Sequence, residues 1–203
     1  MPPAAALHSR PAEPRGAHKK PAMRILLHIC CGPCAIVPIR ALRADGHDVD
    51  AAFLNPNIHP YQEYERRLEA AREVVDAFDV PLPFVDEYGL TAFLRAVVRS
   101  EDERCSICYA LRLDRTAEVV AAGGYDAFTT TMFVSTQQDH DAIRSAGEAA
   151  ASRHGVEFLI RDWRDRVMDG VRESKAMGHY RQQYCGCIYS EWDRYRPKGR
   201  DAA

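Results

Sequence analysis

Seven cysteines stand in the 203-residue chain, in three clusters: Cys30, Cys31 and Cys34; Cys105 and Cys108; Cys185 and Cys187. The count is odd, the chain is not small and its start lacks the apolar core of a secretory signal. A framework of structural disulfides is therefore disfavoured, and metal binding or redox chemistry is favoured. Cys105-Ser-Ile-Cys108 has the spacing of half a metal site, and a helix N-terminus at such a turn favours the negative sulfurs. Joined to Cys30 and Cys31 it makes a four-thiolate set, which suits zinc or an iron–sulfur cluster. Adjacent cysteines on a strand point to opposite faces and chelate one zinc awkwardly, whereas in a loop they reach two irons of a cluster. Both metals stay open on this reading. Cys185-Gly-Cys187 closes a small strained ring if oxidised, and strain raises its reduction potential, so the pair suits electron relay. Two further metal thiolates, or two unpaired thiols, are its alternatives. Cys31-Gly-Pro-Cys34 also has the form of a thioredoxin-like motif. The third thiol at Cys30, the two other clusters and the chain length weigh against that reading.

The elements that must position these thiols follow from periodicity. Residues 23–29 form a compact β-rich run, broken at Gly32-Pro33, and a helix over 34–45 closes at Gly46. A strand over 49–54 runs into the turn-rich Asn55-Pro-Asn-Ile-His-Pro60. A helix spans 63–78 with Tyr64, Leu68, Ala71, Val75 and Phe78 on one face. A short strand at 84–85 and helices over 90–99 and 106–122 come next, the last stopped by Gly123-Gly124. A strand over 127–132, a helix over 139–154 and a strand over 156–160 complete the alternation. Strands alternating with helices predict a parallel sheet with right-handed crossovers, an α/β sandwich. The last forty residues read as helical, then irregular, folding back over the sheet edge. In an open parallel sheet ligands bind at the carboxyl ends of the strands. Topology alone brings Cys30, Cys31 and Cys34, the pair Asn55 and Asn57, and the loop residues Thr130, Thr131, Ser135, Gln137, Gln138 and Asp139 to that rim. Asp139 is equally suited to cap the helix that follows it.

Composition bounds the remaining classes. With 46% hydrophobic and 28% charged residues the chain suits one globular domain, and it has no apolar run long enough to cross a membrane. Residues 1–22 hold 5 of the 12 prolines and read as a disordered tail, leaving 23–203 as a single α/β domain. The net charge of -2 advertises no global field for nucleic acid. Residues 1–24 and 161–200 each carry a balance of +4, against -9 over 25–160, so the basic ends offer a local phosphate-facing patch.

Five motifs in one order identify a resemblance: His28-Ile-Cys-Cys-Gly-Pro-Cys-Ala35; Asn55–Pro60; Arg104-Cys-Ser-Ile-Cys-Tyr-Ala-Leu-Arg-Leu113; Phe128-Thr-Thr-Thr-Met132 with Ser135 and Asp139; and Tyr184-Cys-Gly-Cys-Ile-Tyr-Ser190. Over about residues 23–192 the chain resembles the QueH-type epoxyqueuosine reductases. The resemblance implies a Rossmann-like (HUP-like) fold and reduction of epoxyqueuosine to queuosine at the tRNA wobble position. It further implies a 4Fe–4S cluster on Cys30, Cys31, Cys105 and Cys108, and a redox-active disulfide between Cys185 and Cys187. Cys34 is left to assist or to hold an additional iron. The implied partners are a tRNA carrying epoxyqueuosine and an unidentified electron donor, with no membrane and a cytoplasmic location. Of Tyr109, Asp139, His28 and His140, Asp139 ranks first as the proton donor. A zinc-stabilised α/β module for nucleotide or RNA is the alternative from another class. The pattern is also similar to nucleotide-binding PP-loop enzymes, but cysteines stand where their Ser-Gly-Gly-x-Asp-Ser loop would follow strand one, which argues against ATP chemistry.

Overall fold

The computed structural model describes residues 21–86 and 88–197. Five strands, β1 (Arg24–His28), β2 (Asp48–Phe53), β3 (Phe84–Val85), β4 (Ala127–Thr130) and β5 (Glu157–Phe158), form one all-parallel sheet in the order β3-β2-β1-β4-β5. Seven α-helices are described: α1 (Gly32–Ala44), α2 (Tyr61–Ala77), α3 (Leu90–Val97), α4 (Arg104–Gly123), α5 (His140–His154), α6 (Val167–Ala176) and α7 (Ile188–Tyr195). The expected parallel α/β sandwich is the fold observed. Helix α1 packs on α2 and α6, and α4 packs on α5, giving the two helical layers that right-handed crossovers require. Strand β1 is central, and Ile25, Leu26 and Leu27 are fully buried, as a parallel strand covered on both faces must be.

Three local expectations shift. Gly32-Pro33 does not separate strand from helix but opens α1, because the fixed φ of proline suits the first helical turn, where no intrahelical partner is needed for its missing N–H. Gly32 is required there: a Cβ at this position would lie 2.2 Å from the carbonyl oxygen of Ala70 in α2. The close approach presses the start of α1, and Cys31 as its N-cap residue, against α2. The strand expected over 127–132 ends at Thr130, and residues 131–134 form a 3-10 turn in which the Thr130 hydroxyl accepts the Met132 N–H. The strand expected over 156–160 pairs only at Glu157 and Phe158. The tail expected over 1–22 lies almost wholly outside the described residues.

After β5 the chain returns through α6, which packs on α1, and residues 177–187 lead irregularly into α7. This segment lies over the carboxyl ends of the strands. His59 N–H donates to the Gly186 carbonyl at 2.7 Å, and the Tyr184 hydroxyl donates to the His59 carbonyl at 2.6 Å. These bonds dock it on the loop between β2 and α2.

Candidate active site

The strand order reverses direction at β1, since the chain passes from β1 to β2 on one side and later to β4 on the other. The crevice beyond their carboxyl ends is the switch point where open α/β sheets bind ligands. Cys30 and Cys31 leave β1 at this crevice, and Thr131 leaves β4 opposite. The Thr131 Oγ1 accepts the Cys30 N–H at 3.4 Å and lies 3.7 Å from its Sγ. His28, fully buried beneath, bonds Thr130 Oγ1 at 2.9 Å and the Leu54 carbonyl at 3.2 Å, tying β1 to both neighbours. Asn55 donates to the Ile29 carbonyl at 2.7 Å and fixes the same corner from β2.

All three cysteine clusters meet here. Cys31 interacts with both Cys30 and Cys34, and the Gln182 amide donates to Cys31 Sγ at 3.0 Å and to Cys34 Sγ at 3.8 Å. Cys105 and Cys108 enter from the first turn of α4, and Cys185 and Cys187 from the docked C-terminal segment, with Cys187 the N-cap residue of α7. Cys108 interacts electrostatically with Cys30, Cys185 and Cys187, and Cys105 with Cys187. Every cysteine is a free thiol.

Two buried guanidiniums hold this assembly. Arg67 is 1% exposed: its Nε donates to Glu63 at 2.7 Å and its terminal nitrogens donate to the carbonyls of Cys185 and Tyr184, each at 2.8 Å. Arg112 is 2% exposed and donates to Asn57 Oδ1 at 2.7 Å. Gly186, at φ 148°, lets the backbone pass over them: a Cβ there would sit 3.2 Å from Arg67 and 3.7 Å from Arg112. The charge of Arg112 is favoured by Cys108, Cys30, Cys185 and Cys187 once those are thiolates. As thiols they are reluctant acids. Burial raises Cys108, and partial desolvation raises Cys105 and pushes Cys185 up to about 12, both residues still reached by solvent; the interaction with Cys31, then burial, holds Cys30 well above the usual thiol range. At Cys31 the bond from Cys30 works downward, but the bond to Cys34 and burial win and the thiol is raised. Against this, Arg112 and the Asn57 amide both favour a Cys108 thiolate. The Asn57 Nδ2, buried without a hydrogen-bond partner, remains free to donate.

A cavity of about 470 Å³ opens beside the thiols, lined by Cys30, Cys34 and Cys185, by Thr131 and Ser135, and by four glutamines, Gln137, Gln138, Gln182 and Gln183. Asp139 is exposed next to Gln138, and its Oδ1 accepts the N–H groups of Asp141 and Ala142, each at 3.0 Å, capping α5. Tyr109 is 4% exposed and held far above its usual range, chiefly by burial. His140 Nε2 lies 2.9 Å from the Ser135 carbonyl, an acceptor, which sets the tautomer with its proton on Nε2. Sequence reasoning gave no role to Arg67, Arg112, Gln182 or Tyr184, although Arg112 and Tyr184 stand within its motifs. The first two were marked by position: Arg67 lies on the apolar stripe of α2 between Tyr64 and Ala71, and Arg112 lies one turn after Cys108 on the buried face of α4. A long cation on a core-facing stripe needs a buried anion.

Among the described residues no group of three or more cysteine, histidine and acidic side chains is already arranged to hold a metal ion. The donor chemistry nevertheless fits an anionic iron–sulfur cluster. Soft sulfurs from two elements face one crevice, and Arg112 is a buried cation whose charge Cys108, Cys30, Cys185 and Cys187 favour in their ionised form.

Comparison with known proteins places this architecture. A family model described as epoxyqueuosine reductase QueH matches residues 25–193. A protein named epoxyqueuosine reductase QueH from Dehalococcoides mccartyi is 39% identical over 175 residues, covering 86% of this chain and 96% of its own. One of the same name from Thermotoga maritima is 33% identical over 180 residues, covering 84% and 91%. A solved structure described as a predicted subunit of a tRNA methyltransferase from Methanocaldococcus jannaschii has a TM-score of 0.51 at 10% identity, covering 79% of this chain and 93% of its own, a likeness of fold alone. The matched span contains every cysteine of the crevice, the two buried arginines and the docked C-terminal segment. With that match over most of its length, this chain belongs to the epoxyqueuosine reductase QueH family.

Proposed function

We propose that the chain reduces epoxyqueuosine to queuosine in tRNA, and that Cys30, Cys31, Cys105 and Cys108 hold a 4Fe–4S cluster while Cys185 and Cys187 form the redox pair. The observation that carries this reading is the convergence of three cysteine clusters around Arg67 and Arg112 at the sheet's switch point. When bound, the cluster supplies single-electron transfer. Opening the epoxide to the alkene consumes two electrons and two protons and releases the oxygen as water. Oxidation of Cys185 and Cys187 from dithiol to disulfide yields that number of each, and an external electron donor must then restore the pair.

The chain's own residues do the rest. Arg112 offsets the negative charge of the thiolates, and the Asn57 amide supports Cys108 from one side. Arg67 fixes the backbone of Cys185 through its carbonyl, so the redox pair is held at the cavity wall. The glutamine-lined cavity takes the splayed base, whose edge offers the donors and acceptors that amides match. Asp139, adjacent to that lining, donates the proton at the departing oxygen. Such a reaction on tRNA belongs in the cytoplasm, and no described helix is long and apolar enough to cross a membrane.

The test is direct. Iron-loaded protein, a chemical reductant and an anticodon stem-loop bearing epoxyqueuosine are combined without oxygen, and the nucleosides are analysed by mass. Queuosine should accumulate over many turnovers; its absence with fully loaded protein would overturn the reading.

A further inference from the structure

We propose that the outer face of α7 is a stacking platform for an unpaired nucleotide beside the one held in the cavity, with Trp192 and Tyr195 against the base and Arg194 and Arg196 on the phosphates. This rests on the reading that an RNA loop is the substrate. Helix α7 follows directly on Cys187 and forms a wall between two spaces. Ser190, Asp193 and Arg194 line the thiol cavity, while Ile188, Trp192 and Tyr195, at spacings of four and three, line a shallow hollow of about 290 Å³ outside it. These three side chains are 36%, 50% and 59% exposed. One helical face thus carries a contiguous apolar patch that no described element covers.

The charge beside the patch leaves cations available to phosphate. Asp193 is occupied by Arg104 at 3.0 Å; the hollow itself carries one carboxylate, Glu191, beside Arg196, and Arg194 stands at the cavity edge, neither arginine in an ion pair among the described residues. Aromatic rings beside unpaired arginines are the combination that holds single-stranded nucleic acid, through stacking on any base and contact with the backbone. The placement is also right. Trp192 lies five residues into the helix from Cys187, about 7.5 Å along its axis, roughly two base rises from the redox pair. Tyr195 packs edge-on to Tyr184 with centroids 6.1 Å apart, and Tyr184 lies under the Arg67 guanidinium at 5.4 Å. The platform is therefore fixed to the same cation that positions Cys185. A second copy is the poorer occupant, since three partly covered side chains fall far short of the ~800 Å² per partner of a stable interface.

Tryptophan emission separates the outcomes, because Trp163 is 5% exposed and Trp192 is the exposed ring. The probes are an anticodon stem-loop with unmodified guanosine at the wobble position and a blunt RNA duplex of equal length. The stem-loop should quench emission saturably, and the duplex should not. Trp192→Ala should weaken stem-loop binding about tenfold, while Trp192→Phe, which keeps a ring, should stay within about threefold yet lose the quench. Thermal unfolding of both variants controls for folding. Wild-type affinity in Trp192→Ala, equal quenching by the duplex, or an emission that instead follows protein concentration would overturn the platform. If wild-type protein converts epoxyqueuosine while Trp192→Ala binds normally, the platform fails and the reductase reading stands. Quenching without any conversion has the opposite meaning: the platform stands and the reductase reading fails.

Discussion

Arg112 shows how a single buried charge can organise a site. It is 2% exposed, its Nε donates to Asn57, and it stands within electrostatic reach of four thiols that are neutral until they ionise. Loading four thiolates onto a metal cluster removes their protons, so the burial that raises the free thiols is offset by the cation they then face. Replacing Cys30, Cys31, Cys105 or Cys108 singly with Ser should therefore strip or greatly deplete iron, measured by metal analysis and by the broad absorption near 400 nm. Full clusters in all four variants would refute the ligand assignment. Cys187 differs: it holds the N-cap position of α7 without a side-chain capping bond, and its Sγ lies 3.6 Å from the Ser190 hydroxyl. Cys187→Ser should keep its iron and its absorption band yet lose multiple-turnover conversion. Iron loss in that variant would make Cys187 a ligand, and undiminished turnover would make it a bystander.

At the scale of elements, Asp139 holds two tasks that one substitution can separate. Its Oδ1 caps α5 through two backbone N–H groups, and the proposed reaction asks the same carboxyl for a proton. Asparagine caps a helix about as well as aspartate but cannot deliver that proton, whereas alanine does neither. Asp139→Asn should thus unfold at the wild-type midpoint with strongly reduced turnover, and Asp139→Ala should also lose about 1 kcal/mol of stability. Equal turnover in Asp139→Asn and wild type would leave Asp139 as a cap alone. Helix α1 depends on a different element-scale feature, the close approach of Gly32 to the Ala70 carbonyl, which sets where Cys31 and Cys34 stand relative to α2.

Over the whole molecule, charge and burial give two solution behaviours. His28 and His59 are buried, and desolvation, helped by Arg112, lowers them to about 3 and about 4 from the ordinary 6.5. Between those values and 6.5 the unfolded chain binds protons that the folded chain refuses, so stability falls as the pH drops through that window and is flat in this respect above it. Urea midpoints of iron-free protein should be similar at pH 8 and 7 and decline from pH 6 to 4.5; a midpoint that rose on acidification would contradict the burial of these rings. The second behaviour is a salt dependence of RNA binding. Neutralising Arg194 and Arg196 should weaken binding of the anticodon stem-loop and flatten its salt dependence, by about 0.7 in the log–log slope for each phosphate that no longer meets a cation. An unchanged slope would put the phosphate-binding surface elsewhere. Lys19, Lys20, Lys198 and Arg200, which share the basic ends of the chain, lie outside the described residues.

The sequence by itself determined the layout. Alternating β-rich runs and amphipathic helices specify a parallel sheet, because each segment's periodicity allows only one way to bury its apolar face. That layout already sends Cys30, Cys31 and the loop after Thr130 to one rim. The spacing of the cysteines is local information, so their grouping into three clusters was legible residue by residue. What only the tertiary structure decided is how the third cluster reaches the other two. The path of residues 177–187 has no periodicity to read, and it is fixed by long-range bonds from Arg67, His59, Tyr184 and Gln182. Arg67 and Arg112 are charged residues on helical stripes otherwise built for the core. Their meaning depends on partners 118 and 55 positions away in the chain. Local pattern registers them as exceptions; only folding brings Cys185 and Asn57 to them, since a buried guanidinium is stable only where the completed structure supplies its acceptors.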